Sequence, residues 1–226
     1  MTAMEEIIET YGRETWDLVL TVYVNFYYSE LDIIHLCSRW VPRRSDLLEK
    51  SFLLRHAADE IKHAELFREG VEQLGMAWDG FDHERYRIAD IRERFDKLFR
   101  TEDELEVLIG LNLYAEGVLA LEELEQLGKH KPEYFFQFDR IAREERAHVA
   151  FGVTVAKRMI AESEDNRRRA LGHCKWYEEH MDRYLGGELS QRIRWASSRG
   201  FVSPDYVERT RQRFRSTMDK LHIPEA

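Results

Sequence analysis

One arrangement occurs twice in this chain, and it limits the folds open to it. An acid sits inside an apolar helical run, and about thirty residues later comes a Glu-x-x-His. The first copy is Glu30 in "VNFYYSELDII", followed 30 residues on by Glu60 and His63 in "DEIKHAELF". The second is Glu116 in "LNLYAEGVLAL", followed 29 residues on by Glu145 and His148 in "EERAHVAFG". Residues three apart lie one turn apart on the same helix face, so each Glu–His pair points one way. Each acid also shares its face with apolar side chains: Trp16, Tyr23 and Tyr27 with Glu30, and Phe52, Phe67 and Val71 with Glu60. Ile109, Leu119 and Ala120 accompany Glu116, and Phe138, Ile141, Gly152 and Ala156 accompany Glu145. A fold that buries these faces also buries four carboxylates.

The rest of the chain reads as helix. Only 12 glycines and 4 prolines punctuate 226 residues, which suits long helices better than strands and turns. Amphipathic runs predict helices over 13–40, 45–74 (stopping at Gly75), 102–128 (capped by Thr101, stopping at Gly128) and from Pro132 to about 162. Residues 75–100 begin as loop and finish as a short helix. Further helices are expected near 164–185, 188–198 and 204–221. The chain is expected to form one domain over 1–226, with a core at about 13–162 and C-terminal helices at about 163–222.

Composition narrows the function. No run of about 18 apolar residues spans a membrane, and the acidic start "MTAMEEIIETYGRE" is not a signal peptide. Cys37 and Cys174 form no CxxC, which excludes rubredoxin-type and zinc-ribbon sites. A cytoplasmic protein with reduced thiols is the reading. Residues 1–162 carry 21 Lys and Arg against 33 Asp and Glu, a net charge of −12. Residues 163–226 carry 13 against 10, or +3. The acidic surface disfavours nucleic acid. The basic stretches "NRRR" and "RTRQRFR" read as solvated helix faces.

Four ionised carboxylates in one core need protons or cations. With two neutral imidazoles they suit two divalent metals, and this is the ligand set of ferritin-like di-iron and di-manganese bundles. On these six residues the chain resembles the ferritin-like di-iron carboxylate superfamily. In length and ligand positions it is most similar to the aldehyde-deformylating oxygenases. The resemblance covers roughly 13–162. It implies an all-α, ferritin-like four-helix bundle with a long crossover between its second and third helices and extra C-terminal helices.

The resemblance also implies roles. Glu60 and Glu145 would bridge two metals, Glu30 and His63 completing one and Glu116 and His148 the other. Asp59 and Glu144 would each accept the N–H of a ligand histidine from the opposite motif. Two irons are implied, with manganese as the alternative, and O2 as co-substrate. The implied activity is an O2-activating oxygenase or oxidase (a monooxygenase in one form) acting on a small, largely apolar organic substrate. The alternative is a rubrerythrin-like peroxidase, manganese catalase or ferroxidase. No electron-transfer segment is in the chain, so an external donor such as ferredoxin and its reductase is implied; a homodimer is in keeping with the family. Small residues near the second motif mark a pocket bounded by Tyr27, Phe67, Gly117, Ala120, Gly152 and Ala156, with close helix contact as the competing reading at Gly152. His56 reads as a core histidine, Glu123 as a solvated acid, Asn112 as a hydrogen-bonding group near the metals or the cap of a polar layer, and Tyr23 and Tyr114 as core aromatics.

Overall fold

The computed structural model describes residues 2–222, the side chains of 188 and 189 excepted; the expected domain span runs past both ends. Helices and short turns account for the described residues, with no strand among them. No helix among them is long and apolar enough to cross a membrane. Two compact units emerge, residues 1–99 with 133–137, and residues 100–132 with 138–226. Each contains one lone-glutamate helix and one Glu-x-x-His helix, so the repeat in the sequence is also a repeat of structural units.

The first unit holds α1 (Ala3–Tyr11), α2 (Arg13–Trp40), α3 (Leu47–Gln73) and α4 (Ala89–Arg100). Gly12, at φ +91°, separates α1 from α2. Asp46 starts α3 by accepting from the Leu48 and Glu49 N–H groups at 2.8 and 2.9 Å, and Gly75, at φ +96°, ends the turn beyond it. Both are helix boundaries of the expected chemistry. α2 and α3 approach closely where Gly70 lies under Tyr23: a Cβ at Gly70 would sit 2.3 Å from the Tyr23 ring. Asn25 anchors the crossover, donating to Tyr86 O at 2.8 Å and accepting from Ile88 N at 2.9 Å.

The second unit holds α5 (Glu104–Val107), a π-helix (Leu108–Ala120), α6 (Leu121–His130), α7 (Phe138–Glu162), α8 (Glu164–Gly186), α9 (Glu188–Ser198) and α10 (Tyr206–Asp219). The expected third helix is therefore three segments, with i→i+5 bonding through the middle one. Its first cap is Asp103, which accepts from Leu105 N at 3.0 Å; Thr101 instead accepts from Asp103 N. Gly128 does not stop it. A Cβ there would lie 2.8 Å from Asp139 and 3.2 Å from Phe138 Cβ, so this glycine serves a close contact within the second unit.

The fourth helix starts at Phe138 rather than Pro132. The intervening segment belongs to the first unit. Tyr23 donates its hydroxyl proton to Tyr134 O at 2.8 Å and accepts from Phe136 N at 3.1 Å. Its ring stacks on Phe135 at 5.9 Å. Burial pushes the Tyr23 phenol well above its usual range, so this hydroxyl stays protonated and available as a donor. Segment 133–137 thus finds its hydrogen bonds in tertiary contacts that local pattern cannot show.

Candidate metal centre

In the first unit α2 delivers Glu30, and α3 delivers His56, Glu60 and His63. These four side chains are between 0 and 4% exposed. Ligand atoms of Glu30, Glu60 and His63 lie within 4.8 Å of one another. His63 Nδ1 faces Glu60 Oε2 at 2.9 Å, and His56 Nε2 faces Glu60 Oε1 at 3.0 Å. Their spacing explains the grouping, since residues three and four apart share a helix face. The neighbouring wall is aromatic: Phe67 stacks on Phe26 at 5.0 Å and meets Tyr23 edge-on at 6.3 Å.

In the second unit the π-helix delivers Glu116 and α7 delivers Glu145 and His148, all at most 2% exposed. Ligand atoms of Glu116 and His148 lie within 4.8 Å of each other. His148 Nδ1 faces Glu145 Oε2 at 3.1 Å, repeating the atom choice of the first unit. Asn112 Nδ2 donates to Glu116 Oε2 at 3.0 Å. Residues four apart sit about one turn from each other on one helix face. The amide is thereby aimed at its carboxylate.

The donor set fits divalent metal. Each unit withdraws two carboxylates of the set from water, and an isolated buried carboxylate carries a desolvation cost of up to tens of kcal/mol in a dry medium. Neutral imidazoles and carboxylates together suit iron or manganese. A neutral imidazole with its proton on Nε2 presents the Nδ1 lone pair to a cation, beside the carboxylate on the same helix face.

His56, read as a core histidine, is a second imidazole on Glu60; its position four before Glu60 on an apolar stripe was the signal for it. Asp59 pairs with Lys62 at 2.8 Å, and Glu144 with Arg140 at 3.0 Å, each on its own helix. The acid to notice beyond Glu116 is Glu122 rather than Glu123. It is 1% exposed and accepts from Arg209 and Arg213 at 2.7 and 2.8 Å.

The small residues divide. A Cβ at Gly152 would lie 2.3 Å from Asn112 Cβ, so close helix contact, and no open space, explains that glycine. Ala156 is fully buried, and Phe67 is core. Tyr27 is half-buried against Trp78 at 4.5 Å, and Ala120 is half-buried at the end of the π-helix. Gly117 borders a cleft of about 770 Å³ in the second unit, with Val149, Arg146, Arg209, Arg213 and Lys220 also around it, while a Cβ there would lie 3.1 Å from Asn112 O and 3.2 Å from Val149. Gly117 and Val149 directly follow Glu116 and His148.

No family model and no curated protein matches the chain. Solved structures do. An R2-like ligand-binding oxidase with an aerobically reconstituted metal cofactor after photoconversion superposes with a TM-score of 0.75 at 17% identity, over 97% of this chain and 85% of that one. A point mutant of such an oxidase, with an aerobically reconstituted Mn/Fe cofactor, gives 0.74 at 18% over the same shares. Another mutant gives 0.67 at 20%, over 92% and 80%. The chain has the all-α, ferritin-like fold of the R2-like ligand-binding oxidases.

Proposed function

We propose that the chain is a di-metal carboxylate oxidoreductase that uses O2 to oxidise a small organic substrate. Its ligands are Glu30, Glu60 and His63 from the first unit and Glu116, Glu145 and His148 from the second. One observation carries this reading. Two units with different packing each bury a lone helix glutamate and a Glu-x-x-His whose Nδ1 faces its own carboxylate. Structural need alone does not ask for that arrangement twice. The similar structures include Mn/Fe forms, which supports iron with manganese in one position as well as two irons.

Bound, such a pair of ions supplies electrons to O2 and Lewis acidity to the substrate. The chain's own residues set the conditions. His63 and His148 would each offer a ring nitrogen beside the carboxylate of the same motif. Asn112 holds one Glu116 oxygen by a hydrogen bond and so orients the carboxylate. Phe26, Phe67 and Tyr23 keep the first unit's carboxylates away from water. Substrate enters by the cleft beside Gly117 and Val149, and electrons come from an external donor.

The test is metal analysis after anaerobic loading with ferrous iron, alone and with manganous ion, followed by O2 uptake. About two ions per chain and rapid O2 consumption are expected. Fewer than one ion on folded protein overturns the reading. Rapid peroxide consumption without O2 uptake favours the peroxide-handling alternative. Filling the cleft by Val153→Trp should leave metal content unchanged while abolishing substrate oxidation.

A further inference from the structure

The basic run "RTRQRFR", Arg209 to Arg215, reads in sequence as a solvated helix face. On α10 it divides. Arg211 and Arg215 pair with Asp182 and Glu208. Arg209 and Arg213, four apart and so on one face, border the cleft that Gly117 and Val149 also line. Both donate through Nε to Glu122, at 2.7 and 2.8 Å, and Glu122 is 1% exposed. Arg213 also donates a terminal nitrogen to Glu125, which accepts a second bond from Arg146 at 2.8 Å. A buried acid thus fixes two guanidinium groups by their inner nitrogens, and outer nitrogens are left over. Among the described residues, both terminal nitrogens of Arg209, and one each of Arg213 and Arg146, have no protein acceptor. The Lys220 side chain, also on the cleft wall, forms no ion pair or hydrogen bond among them. Four cations then stand against the carboxylates of Glu122 and Glu125. That leaves two positive charges in excess, in a chain whose net charge is −9.

We propose that this cleft binds a small organic molecule carrying a phosphate monoester, the anion held by Arg146, Arg209, Arg213 and Lys220. Guanidinium forks match phosphate oxygens in pairs. A dianion neutralises the whole excess charge, whereas a lone carboxylate neutralises half of it. The other end of the molecule is apolar, because Leu121, Val149 and Val153 also wall the cleft. The volume of about 770 Å³ falls among small-molecule sites. The inference rests on the reading that substrate enters by this cleft, and it makes that substrate a phosphate ester. The anion site itself needs no metal, so phosphate binding and metal content test the two readings separately.

Calorimetric titration of the full chain with phenyl phosphate tests the proposal, on metal-free and on anaerobically iron-loaded protein. It is run at about pH 8, where a phosphate monoester is a dianion. One molecule should bind per chain in both forms. It should bind about tenfold tighter than inorganic phosphate, which lacks a ring for the apolar wall to take out of water. It should also bind about tenfold tighter than benzoate, which brings one charge. Arg146→Gln and Lys220→Gln should each weaken binding about tenfold. Neither side chain touches Glu122, so the buried ion pairs and the helical spectrum should match wild type. Arg211→Gln, whose side chain pairs with Asp182, is the control and should leave binding unchanged. Val153→Trp, which fills the cleft, should abolish it. No binding of phenyl phosphate, binding indifferent to both Arg146→Gln and Lys220→Gln, or benzoate bound as tightly overturns the proposal. So does binding seen only with iron loaded, which would place the anion on the ions. A chain that binds phenyl phosphate yet loads no iron would overturn the di-metal reading and leave the anion site standing.

Discussion

The two units present the same donors on different scaffolds. In the first, an unbroken α-helix carries Glu30, two imidazoles face Glu60, and aromatic rings close the space behind. In the second, a π-helix carries Glu116, an amide side chain holds it, and glycines let the helices approach. A repeat of ligands without a repeat of packing places the constraint on the chemistry, because packing can be solved in many ways once the donors are placed. The second unit also holds a cleft whose walls include Gly117 and Val149, the sequence neighbours of Glu116 and His148.

The largest expected effect is on metal content. His63→Ala and His148→Ala should each lower loading from about two ions per chain to about one, read by elemental analysis, while the helical spectrum persists. Equal losses support equivalent units; a loss confined to one mutant would show that only one unit binds metal. Asn112→Leu sharpens the same comparison. It removes a donor to Glu116 and should weaken loading about 10- to 100-fold, whereas replacing His56 in the first unit tests whether that imidazole orients Glu60 or ligates.

Next are the close contacts. Gly152→Ala in the second unit and Gly70→Ala in the first both drive a Cβ to 2.3 Å from a neighbour. The neighbour is Asn112 Cβ, fixed to the backbone, in one case, and the Tyr23 ring in the other. Denaturant unfolding should show losses of about 3 kcal/mol for Gly152→Ala and about 2 kcal/mol for Gly70→Ala. Gly172→Ala is the control. Nothing lies within 4 Å of its added Cβ, and it should stabilise by about 0.5–1 kcal/mol. A neutral Gly152→Ala would reopen the pocket reading at that position.

Tyr23→Phe keeps the ring and removes both bonds to segment 133–137. The expected loss is about 1–2 kcal/mol, with Phe136 N–H left unsatisfied. In the second unit a buried tyrosine hydroxyl meets a side chain. There Tyr114 donates or accepts at His180 Nδ1, 2.8 Å away.

The smallest effect is electrostatic. Burial pushes the Asp103 carboxyl up, but the His173 and Arg169 hydrogen bonds outweigh it and hold it below its usual value of 3.8. A depressed folded pKa contributes stability that is present above the unfolded value and lost as pH falls through the folded one. Asp103→Asn keeps an N-cap acceptor on α5 while deleting the charge. It should cost under about 1 kcal/mol at neutral pH, and the gap from wild type should close in the acid range below 3.8. A gap that persists there would assign the loss to capping.

Local pattern made the helices and the Glu-x-x-His pairs legible, because both rest on contacts within one turn. What local pattern could not show depends on distant partners. The π-helix and the α-helix draw on the same residues between Leu108 and Ala120; which forms depends on what the segment packs against. Residues 132–137 looked like a helix start until Tyr23, more than a hundred positions earlier, claimed their backbone groups. Glu122 outranks Glu123 only because Arg209 and Arg213 come from α10. The spacing of His56 from Glu60 was visible; only coordinates showed the imidazole turned toward the carboxylate.

Segment 133–137 also bears on how the chain emerges from synthesis. The first unit is written almost entirely in the first 99 residues, yet its last piece is encoded after 33 residues of the second. Until residue 137 has left the ribosome, the Tyr23 hydroxyl and Phe135's place in the core wait for sequence not yet made. A nascent chain stalled before Pro132 would hold Glu30, Glu60 and His63 on helices already formed but still unlatched. Translation itself thus sets the order: the first set of proposed ligands becomes secure only after Glu116 has been added to the growing chain.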